Sequence, residues 1–188
     1  MPGTHVIDAV VLAGGRSRRF GSDKVTARVG GRTLLDIAVD AVSTLREVVV
    51  VGPERDVPLR RPVVWAREEP EFGGPVAGLS AGLRALPDDS DAVLLLAADL
   101  PRADELVARL LDAPLSSDAV VVTDQDGSAQ WTASLVRCAP LREALGTLDD
   151  PDGTSLRHLF TGLGWDPVTA PAGATWDVDT PDDLRSPR

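Results

Sequence analysis

Ala9-Val10-Val11-Leu12-Ala13-Gly14-Gly15-Arg16-Ser17-Arg18-Arg19-Phe20-Gly21-Ser22-Asp23-Lys24 is the stretch that decides the fold. Its first four residues are apolar and read as the end of a buried strand. Two glycines follow at once, and glycine lets a backbone turn with positive φ and approach a ligand closely. Successive backbone N–H groups in such a turn form an anion-binding hollow. Arg16, Arg18, Arg19 and Lys24 set four cations there against Asp23, in a chain whose formal net charge is -10. The local field opposes the global one, and a polyphosphate is the natural occupant. The spacing is not that of a P-loop, because Lys24 stands three residues after Gly21 rather than next to a glycine. Nor is it G-x-G-x-x-G, so a dinucleotide-binding turn loses its main support.

Outward from this stretch, apolar runs alternate with amphipathic ones. Strands are predicted over Val6 to Leu12, Glu47 to Val51, Pro62 to Ala66, Ala92 to Ala97, Asp118 to Val122 and Gln130 to Val136. The near-continuous apolar run at 92–97 suits a central parallel strand. Helices are predicted over Thr33 to Leu45, where Leu34, Leu35, Ala38, Ala41 and Val42 recur at helical spacing. Further helices are predicted over Val76 to Leu86, entered at Gly74-Pro75, and over Ala103 to Leu111, Leu141 to Leu148, Ser155 to Phe160 and Thr180 to Arg185. In the last, Thr180 is placed to N-cap and Pro181 to take the first helical position. Gly52 to Arg61 and Pro167 to Gly173 read as loops. Alternating strands and helices predict a three-layer α/β/α sandwich around a mostly parallel sheet, as a single domain over residues 1–188.

Composition narrows the function. With 188 residues, 43% hydrophobic and 26% charged, the chain is an ordinary globular one. Its acidic balance argues against a nucleic-acid partner, which needs a basic face. No apolar run approaches the ~20 residues that span a membrane, and Met1-Pro2-Gly3-Thr4-His5 shows no secretory leader. A lone Cys138 cannot form an internal disulfide, and a cytoplasmic location is expected. One cysteine and two histidines do not make a zinc site. Cys138 is read as structural.

The run Leu12-Ala13-Gly14-Gly15-x-Ser17-x-Arg19-x-Gly21-x-Asp23-Lys24 resembles the signature of the molybdenum cofactor guanylyltransferases, within the wider nucleotidyltransferases. Gly74-Pro75-Val76-Ala77-Gly78-Leu79, Ala97-Ala98-Asp99-Leu100-Pro101 and Asp177-Val178-Asp179-Thr180-Pro181-Asp182-Asp183-Leu184 agree with it in order. The resemblance covers nearly the whole chain. It implies a Rossmann-like nucleotidyltransferase fold, GTP and molybdopterin as substrates, and transient contact with proteins that mature molybdoenzymes. It also implies a guanine dinucleotide cofactor as product. Leu12, Ala13, Gly14, Gly15 and Gly78 would then line the nucleotide site, and Gly14, in place of alanine, makes room for a purine. Glu68, with Glu69 beside it, either accepts from the guanine edge or is a surface glutamate.

Asp99 follows an apolar strand and either caps the next helix or binds Mg²⁺, which takes one or two carboxylates plus substrate phosphates. Asp177 and Asp179, two apart on an expected strand end, share a face. They either supply a second metal contact, from Asp179, or serve the turn before a helix. Arg19 and Lys24 are expected on the phosphates, and with Asp99 they make up the catalytic set. Gln130, Arg157 and Asp177 are the candidate acceptor contacts. The family's pattern is broken in places. Val51-Gly52-Pro53 stands where an asparagine is common, and Gln130-Trp131-Thr132 where His-Pro-Thr is common. Asp177 and Asp179 stand where paired asparagines meet the pterin, and aspartates at that motif are also common in the cytidylyltransferase branch. Trp131 either stacks on a pterin or belongs to the core. Arg157 and His158 either bind acceptor phosphate or lie on a solvated helix face.

Overall fold

The structure is a computed structural model that describes residues 5–15, 20, 23–180 and 182–183. Among them, a seven-stranded sheet forms in the order β5-β4-β1-β6-β8-β7-β9. The strands are β1 (Ile7–Leu12), β4 (Val48–Val51), β5 (Val64–Ala66), β6 (Ala92–Ala97), β7 (Ala119–Thr123), β8 (Ala129–Arg137) and β9 (Trp165–Thr169). A separate two-residue hairpin pairs β2 (Arg28–Val29) with β3 (Arg32–Thr33). β1 pairs in parallel with both β4 and β6, whereas β8 runs antiparallel to its neighbours β6 and β7.

The central strands are buried on both faces, and their alternation sorts the core into two layers. Ala9, Val11, Leu94 and Leu96 point to the layer covered by α1 (Leu34–Ala41) and α3 (Ala103–Asp112). Val10, Val93 and Leu95 point to the layer covered by α2 (Gly74–Ala85), α4 (Cys138–Gly146) and α5 (Leu156–Phe160). The predicted α/β/α sandwich is what forms. α2 lies close on the sheet because Gly82 leaves no side chain there. A Cβ at Gly82 would stand 2.6 Å from a Val10 methyl.

Several predicted boundaries change: α4 runs over Cys138–Gly146 rather than Leu141 to Leu148, and β5 begins at Val64 rather than Pro62. The first helix ends at Ala41, and its N-cap Thr33 accepts from the Asp36 N–H. Pro167 does not open a loop but sits inside β9, which pairs in parallel with β7 at the sheet edge. Proline is tolerated there because an edge strand has one side without ladder bonds to make. Asp177 and Asp179 lie in irregular extended chain and not on a strand. Of the helix predicted over 180–185, only Thr180, Asp182 and Asp183 are described. The Asp183 carboxylate there accepts from the N–H groups of Asp179 and Thr180. Cys138 is buried in the second layer, and that burial pushes its thiol up to about 11, which agrees with a structural role.

Candidate active site

In an open α/β sheet, ligands bind beyond the carboxyl ends of the strands where strand order reverses. Here β1 is that point, with β4 on one side and β6 on the other. A cavity of about 330 Å³ opens there. Leu12, Val51 and Ala97, the last residues of β1, β4 and β6, floor it, and Gly14, Gly15, Glu68, Gly78 and Asp99 join them. Most of the predicted nucleotide residues therefore meet in one place. Ala13 is buried beneath the turn, with its N–H bonded to the Val51 carbonyl at 2.8 Å. Of the two glycines, only Gly15 takes a positive φ, 128°.

Glu68 is not a surface residue. It is 8% exposed, and its Oε1 accepts from the Phe72 N–H at 3.1 Å. Its Oε2 is buried with no hydrogen-bond partner. A buried acceptor left unpaired costs about 1–3 kcal/mol, and this oxygen, on a residue that lines the cavity, has capacity to accept a further hydrogen bond. A Cβ on Gly14 would stand 3.7 Å from Oε1 of the same carboxylate. Glu69 is exposed.

Beside the cavity lies a charged cluster. Lys24 Nζ stands 2.8 Å from Asp99 Oδ2 and 2.8 Å from Asp179 Oδ1. Asp99 caps no helix, since Arg102 holds the N-cap position of α3. Burial works against the Lys24 ammonium, but bonds to Asp179 and Asp99 outweigh it and raise its pKa. Among the described residues, Asp177 adds a third carboxylate to this cluster. Desolvation first, then the neighbouring Asp99 and Asp179, push its carboxyl upward, against the pull of Lys24.

The segment carrying these aspartates is held from below. Val178 donates its N–H to the Asp99 carbonyl at 3.1 Å and packs with Phe20 and Leu34 in a small separate core. Phe20 belongs to the signature stretch, so one apolar contact joins the glycine turn to the aspartate pair.

Arg19 lies outside the described residues. Gln130 is half-buried, Arg157 is exposed on α5, and neither lines the cavity. Trp131 packs against Phe160 and Trp165 with ring centroids 5.2 Å away, so it is core and not a stacking platform. Six cavity residues were not among the predicted site residues: Val51, Phe72, Gly74, Pro75, Ala97 and Thr132. Thr132 comes from a bulge, because one step on β7, Val121 to Val122, spans Ser134 to Gln130 on β8. Bulges re-aim side chains next to sites, but nothing in the local sequence announces this one. Gly74-Pro75 was read as the entry to α2, and Phe72 lies just before it. The missing asparagine after β4 also has an explanation. A Cβ at Gly52 (φ 145°) would lie 3.0 Å from the Ala13 carbonyl, so no side chain fits there.

A glycine turn, an unpaired acceptor and converging carboxylates at the switch point define an α/β protein of the nucleotidyltransferase class. Comparison with known proteins agrees. The family model described as MobA-like NTP transferase domain matches residues 9–166, and the chain belongs to that family. A probable molybdenum cofactor guanylyltransferase of Chloroflexus aggregans is 30% identical over 98% of this chain and 95% of its own length. A protein of the same description from Synechococcus elongatus is 43% identical over 99 residues, where the match spans half of each chain. The solved structure of molybdopterin-guanine dinucleotide biosynthesis protein A from Archaeoglobus fulgidus shares the fold. Its TM-score is 0.71, with 17% identity and 95% of each chain covered. Among the described residues, no helix is long and apolar enough to cross a membrane.

Proposed function

We propose that the chain transfers GMP from GTP to the terminal phosphate of molybdopterin and releases pyrophosphate. The observation that supports the choice of base is the buried, unpartnered Glu68 Oε2 beside Gly14. Guanine presents two adjacent donors, N1–H and N2–H, and an ionised carboxylate is an acceptor only. Cytosine and adenine would set a ring-nitrogen acceptor against the same carboxylate.

The triphosphate lies along Gly14 and Gly15, with Arg19 and Lys24 against its oxygens. Asp99 and Asp179 would hold Mg²⁺. Their carboxylates already converge on one cation, the Lys24 ammonium, 2.8 Å from each. Two carboxylates are enough, because Mg²⁺ completes its shell with water and substrate phosphate. When bound, the ion supplies charge neutralisation along the triphosphate. Lys24, on exchanging a carboxylate for a phosphate, offsets the charge that builds on the leaving pyrophosphate. The acceptor phosphate is anionic and attacks the α-phosphorus in line without a strong base. Catalysis is then positioning and electrostatic stabilisation. Gln130, Arg157 and Asp177, none of which lines the nucleotide cavity, are the proposed contacts of an acceptor bound outside it. The same reading implies one domain over residues 1–188, a cytoplasmic site of action, and contact with proteins that mature molybdoenzymes.

A second reading, cytidylyl transfer from CTP, draws on Asp177 and Asp179, which replace the asparagine pair common in the guanylyl branch. Pyrophosphate release with Mg²⁺ and molybdopterin, compared across GTP, CTP and ATP, decides between them. Release with GTP that requires molybdopterin is expected. Release with CTP instead moves the chain to the other branch, and release with neither overturns both.

A further inference from the structure

Asp23 belongs to the signature stretch, yet it touches no part of the cavity and the reaction above gives it nothing to do. Its partner comes from the loop after β4. Arg55 is 9% exposed at its side chain, and each of its guanidinium nitrogens is bonded. Nε donates to Asp23 Oδ2 at 2.5 Å and Nη2 to Asp23 Oδ1 at 3.1 Å. Nη2 also donates to the Ala13 carbonyl at 3.0 Å, and Nη1 to the Pro53 carbonyl at 2.8 Å. One planar fork therefore grips both ends of the signature: the residue before Gly14-Gly15 and the residue before Lys24. Asp23 passes the constraint on, because its carbonyl accepts from the N–H and the hydroxyl of Thr26, closing the turn that starts at Lys24.

We infer that Arg55 is a positioning residue for the triphosphate, fixing the distance between the glycine turn and the Lys24 ammonium through Asp23. It need not touch the ligand. An arginine suits the task because its rigid, delocalised fork satisfies a carboxylate and a carbonyl together, and lysine, with a single point charge, does not. The inference rests on the reading of the cavity as a nucleoside triphosphate site, and not on the identity of the base or the acceptor.

The test is equilibrium binding to the full chain by calorimetry, with Mg²⁺ and no acceptor, using GTP, GMP, CTP and CMP. Arg55→Ala is expected to weaken the tighter-binding triphosphate about tenfold to hundredfold, the scale of losing a hydrogen bond between charged groups at the phosphates. Its monophosphate should lose less than about threefold, because the base pocket is untouched. Asp23→Asn, a milder change of equal size, should show the same triphosphate-selective loss. The double variant should be no weaker than Arg55→Ala alone, since both act through one contact. Arg55→Lys should recover only part of the loss. Equal weakening of mono- and triphosphate, or additive losses in the double variant, would overturn the inference. Tighter binding of CTP than GTP by the parent protein would count against the guanylyl reading alone. The ratio of triphosphate to monophosphate affinity would still test Arg55.

Discussion

β1 carries an ionic cluster at each end, and the two are built on opposite principles. At its start, Asp8 is fully buried and answered on every side. Arg46 Nε and Nη2, the Glu47 N–H and the Ser90 hydroxyl all donate to its carboxylate. Burial works against its charge, but these bonds win and hold its carboxyl below the ordinary value. At the far end, Lys24 faces Asp99, Asp179 and Asp177, and the Asp177 carboxyl is pushed upward. A satisfied network holds a structure together. A cluster in which carboxylates outnumber the described cation is arranged differently, and the proposed Mg²⁺ and triphosphate would draw on it.

Removing a charge at the two ends should therefore have different consequences. The largest effect is expected for Lys24→Ala and Asp99→Ala. Each should cut nucleotidyl transfer about 10²- to 10³-fold while circular dichroism shows an unchanged fold; near-normal turnover in either would dissolve the contrast. Next comes Asp8→Asn. It should lower stability by about 2–4 kcal/mol, the scale for stripping a buried, hydrogen-bonded charge, measured by urea unfolding, and leave turnover of the folded fraction intact. The pH dependence follows in sign. Because the Asp8 pKa is depressed in the fold, its contribution is full above the unfolded value near 3.8 and is lost as pH falls through the lower folded value. Acid unfolding curves of the parent and Asp8→Asn should converge there. Gly14→Ala should then shift nucleotide preference away from GTP by roughly tenfold; equal GTP-to-CTP ratios in parent and variant would remove Gly14 from base selection. The smallest effect sharpens the comparison most. Asp177→Asn should raise the thermal midpoint in chelator-treated protein, opposite in sign to Asp8→Asn, because it relieves repulsion instead of breaking a bond.

What could be read from the sequence depended on how local its causes are. β1 and β6 announce themselves through continuous apolar runs, and α2 through Gly74-Pro75 and its periodic small residues. β9 did not, because Pro167 is a strong loop signal and only the β7 ladder overrules it. The hairpin of β2 and β3 is too short to show a period. At the site, the glycine turn and Asp99 were legible from their places at strand ends, whereas Glu68 and Gly78, the latter inside α2, were legible only through the family resemblance. Thr132 and Arg55 were not, since one depends on a bulge and the other on contacts with residues 32 and 42 positions away. Gln130 was chosen from its alignment with a family motif. Only the register shift in β8 shows that the side chain two positions on, Thr132, is the one in the cavity wall.

The pairing of Lys24 with Asp179 crosses 155 residues of chain. A ribosome adding about 5–20 residues per second needs roughly ten to thirty seconds to make that interval. Throughout it, the glycine turn and its cations are already exposed, without the carboxylate from Asp179 or the apolar anchor from Val178. A nascent chain halted before residue 178 would hold both Lys24 and its partner Asp99 but lack Asp179. Closure of this cluster therefore waits for the later-made of Lys24's two carboxylate partners, Asp179.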